Sequence, residues 1–305
     1  MPEIVAIGEL LIDLISTNYA DDFQSADHYQ RLPGGSPANL AMNLARLGRS
    51  VALVATVGQD DAGTLLLTAV REAGVDVDHI ARHADPTTLI LVTKSRAVSN
   101  FEPYRLADRQ IGTEQLPDAL VQGCQVIHTT AFALSKEPAR SNILASMAIA
   151  AAAGAKPSVD FNYADKIWGD DRAAGLQTLT ALAAHGALVK VSEVDYERLF
   201  GEPVREYHAA AARIQALGAS VVCLTLGPDG CYVLAPDAAF HLPARPVEVK
   251  DTTGAGDAFW SGFLAAHVAG YPWYECALAG RGMAEKKLTR VGAVLEDVVL
   301  EELLE

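Results

Sequence analysis

Short apolar runs rich in Val and Ile recur along the chain, separated by longer segments with helical spacing. The runs at 4–7, 51–57, 126–129, 158–161, 188–191 and 221–226 are nearly continuous in apolar character, which predicts strands buried on both faces. Between them, amphipathic or Ala-rich segments at 37–47, 62–73, 138–153, 172–184 and 204–217 predict helices. Strands alternating with helices predict parallel pairing through right-handed crossovers. The expected fold class is α/β, a three-layer α/β/α arrangement around a mostly parallel central sheet. The last third reads differently. Hairpin-like runs at 230–234, 240–242 and 247–249 precede helical segments near 255–269, 274–288 and 297–304.

Two segments break the alternation. Residues 10–32 alternate apolar and polar positions without a helical period, and 87–111 contain LILVTK followed by the polar stretch SRAVSNFEPYRLADRQ. Each is read as antiparallel strands outside the main sheet, forming a small lid over the carboxyl ends of the strands, where ligands sit in open α/β sheets. Ordinary surface hairpins fit the same pattern. The expectation is one domain over 1–305, with lid segments 10–32 and 87–111 inserted into it.

Composition narrows the function. Of 305 residues, 50% are apolar and 20% charged, which excludes a disordered, collagenous or coiled-coil chain. Lys and Arg number 24 against 38 Asp and Glu, so the net charge is −14. Such a surface repels nucleic acid and anionic membranes, although a local site can still hold ATP. Cys124, Cys223, Cys231 and Cys276 are scattered without a CxxC pair, which fits neither a disulfide framework nor a zinc site. The opening MPEIVAIGELLID has no basic leader region, and the charge-free runs fall short of the ~20 apolar residues that span a bilayer. A soluble, cytoplasmic protein is expected.

The strongest chemical signal is Asp251-Thr252-Thr253-Gly254-Ala255-Gly256-Asp257, running straight into the apolar AFWSGFL. At such a helix start the N–H groups of Gly254, Ala255 and Gly256 would converge on one spot, backed by the helix dipole, and would suit a transferring phosphoryl group. An acid in that first turn would repel an anion. Asp257 makes sense as the base that takes a proton from a hydroxyl attacking the phosphorus. Its innocent alternative is to complement the helix N-terminus. The run only begins like GxGxxG, and no GxxxxGK[ST] exists, so dinucleotide-binding and Walker-type readings fall away.

Three further segments carry chemistry. Pro33-Gly34-Gly35-Ser36-Pro37-Ala38-Asn39 leads into a helix, with room for a ligand against Gly34 and Gly35. Ser36 reads as the helix cap, and Asn39 offers a donor and an acceptor to vicinal hydroxyls. A plain capped helix is the alternative. In Gly8-Glu9-Leu10-Leu11-Ile12-Asp13, a strand leaves the sheet and presents Asp13 as a bidentate acceptor for sugar hydroxyls, or as a solvated turn residue. Thr225-Leu226-Gly227-Pro228-Asp229-Gly230 ends an apolar strand in a backbone platform for a ring or phosphate, or in an ordinary turn.

Together these segments resemble the ribokinase-like (PfkB-type) sugar kinases. Gly34 to Ala41, continuing through Gly48 to Gly58, looks like that family's N-terminal signature, and Asp251 to Gly262 like its C-terminal one. The resemblance covers essentially the whole chain. It implies that Asp257 is the base and that Gly254, Ala255 and Gly256 form the anion hole. It implies that Asp13, Gly34, Gly35 and Asn39 hold the sugar, and that Thr225, Gly227 and Gly230 line the nucleotide site. The family's Asn-x-x-Glu element, which organises Mg²⁺ through water, matches Ser192-Glu193-Val194-Asp195, with Ser for Asn and Asp for Glu. Ser192 therefore falls at the nucleotide and Asp195 near the metal. Many members also bind a monovalent cation, K⁺, at positions matching Asp251, Thr253, Arg290 and Gly292. Phe101 to Asp108 and the opening GELLID look most like fructokinases. The Tyr104-Arg105 pair is similar to 2-keto-3-deoxygluconate kinases, where Arg105 would pair a substrate carboxylate. The expected activity is ATP- and Mg²⁺-dependent phosphorylation of fructose to fructose 6-phosphate. Its rivals are another acceptor for the same chemistry and a catalytically silent sugar sensor. The apolar lid strands suggest a homodimer through the lid.

Overall fold

The computed structural model describes residues 1–20, 22–94, 100–169 and 171–305. β1 (Ile4–Ile7) runs into β2 (Leu11–Ser16) and β3 (Tyr29–Gly34), and helix α1 (Ser36–Arg46) follows. Next come β4 (Val51–Gly58), α2 (Asp61–Glu72), β5 (Ile80–His83), β6 (Leu89–Thr93) and β7 (Asn100–Tyr104). The middle of the chain is α3 (Asp118–Gly123), β8 (Val126–Thr130), α4 (Ala139–Ala152), β9 (Lys156–Asp160), α5 (Asp165–Trp168), α6 (Arg172–Ala183), β10 (Leu188–Ser192), α7 (Glu193–Phe200), α8 (Tyr207–Gln215) and β11 (Val221–Thr225). The hairpin β12 (Cys231–Ala235) and β13 (Ala238–Leu242) leads to the long helices α9 (Ala255–Val268) and α10 (Trp273–Leu288).

Nine strands form the main sheet in the order β13-β12-β11-β10-β9-β8-β1-β4-β5. From β11 to β5 all pairs are parallel, and only the β11–β12–β13 edge is antiparallel. Period-2 alternation sorts β1 between two cores. Ile4 and Ala6 pack with α1, α2, α9 and α10, whereas Val5 and Ile7 pack with α3, α4, α6, α7 and α8. Every residue of β4 is buried, as a strand covered on both faces requires. This is the expected three-layer arrangement.

Helix α9 is the hub of one layer, with residues 258–266 all buried. Fully buried side chains such as Trp260 and Phe263 each contribute roughly 1.5–3 kcal/mol. At Gly262 the backbones of α9 and α10 nearly touch, since a Cβ there would lie 2.3 Å from Ala279 O.

A second sheet has the order β3-β2-β6-β7, antiparallel at both edges and parallel between β2 and β6. The chain passes between the sheets at residues 8–10, 34–35, 86–88 and 105–108. Two carboxylates pin these crossings. Asp60 accepts from Thr87 N (2.8 Å) and Thr87 Oγ1 (2.6 Å). Asp108 accepts from Thr88 Oγ1 (2.5 Å) and from Arg105.

The differences from expectation are local. The run 247–249 is irregular chain, with no strand to pair with. Where a helix was expected at 297–304 there is irregular chain and a short 3₁₀ turn, Glu301–Leu303. Val298, Leu300 and Leu303 are buried there, but Val298 N is spent on Arg46 O (2.8 Å) rather than on a helical turn. Helices α3, α5 and α7 and strand β5 were not foreseen. The first lid segment overruns its expected end, because β3 continues to Gly34.

Candidate active site

The two motif helices meet at their N-termini. Asp257, in the first turn of α9, accepts from Ser36 Oγ at Oδ1 (2.6 Å) and from Asn39 Nδ2 at Oδ2 (2.8 Å). Ser36 is thus not the helix cap. The N-cap of α1 is Gly35, which makes no side-chain bond. With φ of +104° and a Cβ position 2.2 Å from Glu9 O, only glycine fits there. The cap is supplied from outside the helix: Ser36 N–H donates to Glu9 Oε1 (3.1 Å), while Glu9 Oε2 accepts from Thr130 Oγ1 (2.9 Å). Burial pushes Glu9 up to about 8.

Asp13 belongs to the same cluster. Its Oδ2 lies 2.0 Å from the place a Cβ on Gly34 would take, so the carboxylate rests on that glycine. Burial, and then the charge of Asp257, raise Asp13 to about 7. Asp257 itself is raised by burial, opposed by the hydrogen bond from Ser36.

The loop before α9 turns at Gly254, whose φ of +74° is left-handed. Ala255 N–H goes to Thr252 O (3.2 Å), so it is not one of the free donors expected here. Among the described residues, the N–H groups of Gly254, Gly256 and Asp257 find no acceptor. They are the donors left for an anion.

A buried lysine that sequence reasoning missed lies beneath them. Lys190, at the centre of β10, donates to Asp160 Oδ2 (2.7 Å), and both residues are buried. Its Nζ would be 3.1 Å from a Cβ on Gly256. Burial works against the Lys190 charge, but Asp160 outweighs it and raises the pKa. Asp160 Oδ1 is buried and unpartnered. The readable signal was a lone charge within each of two apolar runs, LVKVS and PSVD, where an isolated charge is too costly without a partner.

Ser192 and Asp195 bind each other. Ser192 caps α7 by accepting from Asp195 N (3.1 Å), and its hydroxyl donates to Asp195 Oδ2 (2.6 Å). Burial, and then the charge of Asp160, raise Asp195 to about 6. Thr225 stands beside Ser192 in the parallel register. Gly227 and Gly230 flank the short turn between β11 and β12. A Cβ on Gly230 would lie 2.1 Å from Leu242 O, so the β13 contact alone accounts for that glycine.

Arg105 is not available to a substrate carboxylate. Its Nε and Nη2 donate to Asp108 Oδ2 (2.9 and 2.5 Å), and its Nη1 donates to Phe132 O (3.0 Å) and to Ser135 Oγ. Arg290 likewise spends Nε on Lys286 O (2.9 Å) and Nη1 on Glu296. Gly292 lies in a left-handed turn beyond it. Asp251 and Thr253 share one turn, with Thr253 N donating to Asp251 Oδ1 (3.0 Å).

The family model described as pfkB family carbohydrate kinase matches residues 1–297. An ATP-dependent 6-phosphofructokinase from Thermoanaerobacterium thermosaccharolyticum is 34% identical over 296 residues, covering 96% of this chain and 90% of its own. Fructokinase-1 of Oryza sativa subsp. japonica is 34% identical over 265 residues, covering 86% of this chain and 81% of its own. Among solved structures, Halothermothrix orenii fructokinase superposes with a TM-score of 0.81 at 30% identity, covering 96% of this chain and all of that one (100%). An uncharacterized sugar kinase from Pyrococcus horikoshii in complex with ATP gives a TM-score of 0.84 at 25% identity, covering 95% of this chain and 93% of that one.

Proposed function

Because the chain belongs to the pfkB family of carbohydrate kinases, and is thus a phosphotransferase of ribokinase-like fold, we propose that it transfers the γ-phosphoryl group of ATP to fructose, giving fructose 6-phosphate. The observation that carries the reading is a carboxylate, Asp257, held between Ser36 and Asn39 at the mouth of a helix with unpaired amides. In this reading Asp257 takes the proton of the attacking hydroxyl. The N–H groups of Gly254, Gly256 and Asp257 receive the phosphoryl oxygens, with the Lys190 charge behind them. Asp13, Gly34, Gly35 and Asn39 hold the sugar. Thr225, Gly227, Gly230 and Ser192 border the nucleotide.

Asp195 and Asp160, whose charges repel each other, would face Mg²⁺, and Asp160 Oδ1 is a buried acceptor without a partner. When bound, the ion would neutralise phosphate oxygens. Among the described residues no group of three or more His, Cys, Asp or Glu could hold a metal, and Mg²⁺ commonly takes most of its ligands from phosphate and water. The second sheet serves as the lid over this cleft, and its β3 and β7 edges are where a second copy would pair. Among the described residues no helix is long and apolar enough to cross a membrane.

Fructose is supported by the fructokinase relatives and by Arg105, whose commitment to Asp108 removes the partner a sugar acid would need. A second acceptor, fructose 6-phosphate, is favoured by the 6-phosphofructokinase relative. It calls for free cations at the acceptor end. There Arg105 is committed, Lys166 is held by Asn100 and Glu102, and Arg96 lies outside the described residues, which leaves Arg109, whose buried Nε has no partner among them, as the cation such an acceptor would use. Coupled ADP release with fructose, fructose 6-phosphate, ribose, 2-keto-3-deoxygluconate and adenosine tests the reading. The highest kcat/KM is expected with fructose, and a higher value for any other acceptor overturns it.

A further inference from the structure

We propose that the ammonium group of Lys287 is the resident counter-cation of Asp251, on the loop that delivers the anion hole, so that phosphoryl transfer by this chain needs no monovalent metal ion. The proposal rests on the kinase reading above and concerns the same site.

The loop that delivers Gly254 is laced to the end of α10. Lys250 N donates to Leu288 O at 2.8 Å, and Asp251 N to the same oxygen at 3.4 Å. Lys287 projects from that last turn and is only 7% exposed. Its Nζ lies 3.4 Å from Asp251 Oδ2, and its Cε would be 3.7 Å from a Cβ on Gly254. The Lys287 stem therefore lies beside Gly254, the first residue of the hole. The Lys287 side chain is 8% exposed and that of Asp251 17%, so the pair is largely shielded from water.

Arg290 is not that cation, since its guanidinium is spent on Lys286 O and Glu296. A K⁺ ion bound to Asp251 would lie against the Lys287 ammonium, and two like charges in contact in a partly buried site repel strongly. The residues present do not fit K⁺. They fit a tethered ammonium, which needs no recruitment from solution.

The test compares ADP release and thermal unfolding in KCl and in choline chloride at equal ionic strength. It uses the wild-type chain, Lys287→Ala and Lys287→Met. Wild-type rate and Tm are expected to be the same in both salts. Lys287→Ala is expected to lose roughly 10²-fold in kcat in choline chloride, as when one electrostatic donor is removed. KCl or NH₄Cl then restores part of that rate and raises its Tm, as a ligand of the folded state does. Lys287→Met, whose apolar stem fills the space, is expected to lose rate without restoration. Stimulation of the wild type by K⁺, or a K⁺-specific rise in its Tm, overturns the proposal. So does a Lys287→Ala enzyme that keeps full rate in choline chloride, or one that no monovalent cation restores. The unfolding arm needs no acceptor sugar, so a wrong acceptor and a wrong Lys287 give different results. If Lys287→Ala does not fold, the wild-type salt comparison and Lys287→Met still decide.

Discussion

Ser36 Oγ donates to Asp257 Oδ1 at 2.6 Å, joining positions 221 residues apart at the facing ends of α1 and α9. With Asn39 on the other oxygen, the carboxylate is fixed in direction before any substrate arrives. A base aimed in this way avoids reorganisation at the moment of proton transfer. Both of its protein partners are donors, and each stabilises the ionised form.

Asp257→Asn keeps the size of the side chain and removes its basicity. The variant is expected to fold and to bind ATP and sugar, while kcat falls by roughly 10²–10⁴-fold. Calorimetric titration with each ligand, beside steady-state rates, separates the two effects. Near-normal turnover in the variant would remove Asp257 from the mechanism.

Ser36→Ala removes one of the two bonds that oppose burial at Asp257. A charge-assisted bond of about 1.5–3 kcal/mol corresponds to roughly one to two pH units. The sign follows from the protonation states. Loss of a donor to the ionised carboxylate raises its pKa, so the acidic limb of the kcat/KM profile moves to higher pH. The variant is expected to be impaired most at low pH and to approach wild type under alkaline conditions. A uniform loss at every pH would show that Ser36 only shapes the helix.

Asp257 was legible because an acid at the start of an apolar helix has few explanations. The role of Ser36 was not, since a hydroxyl after two glycines fits a helix cap equally well and its partner is remote in sequence. Lys190 and Asp160 were hidden inside strands read only for their apolar content. The main sheet was legible because its strands are buried on both faces and so read as continuous apolar runs. The second sheet was blurred because β7 alternates exposed and half-buried positions, a weak signal. The expectation for 297–304 failed because Val298, Leu300 and Leu303 bury themselves against neighbouring helices without needing a helix of their own.

Glu9 gives a stability prediction. Its carboxyl is raised from 4.5 to about 8 by burial, so the folded chain holds a proton that the unfolded chain has released. Stability from this group is full below about pH 4.5 and declines as pH rises toward 8. Glu9→Gln accepts from Ser36 N–H as before and cannot ionise. The variant is expected to match wild type near the lower limit and to unfold at a higher temperature than wild type at alkaline pH. Each 1 kcal/mol recovered should appear as roughly 2 °C in a chain of this size. A Tm difference that does not change with pH would show that Glu9 does not titrate in this window.

Lys190 and Asp160 form a buried ion pair beneath Gly256, and breaking one side leaves the other charge stranded. Lys190→Met is expected to cost about 3–5 kcal/mol, the usual penalty for an uncompensated buried charge. Asp160 already has one oxygen without a partner, so little is on hand to absorb the loss. Adding Asp160→Asn to Lys190→Met should recover much of the stability, because no charge then remains to be stranded. Activity should behave differently. The Lys190 charge behind the anion hole is absent from both variants, so the double variant is expected to be stable and still slow. Chemical denaturation gives the coupling energy and initial rates give the activity. If the double variant recovers rate along with stability, Lys190 contributes folding alone and the anion hole works without it.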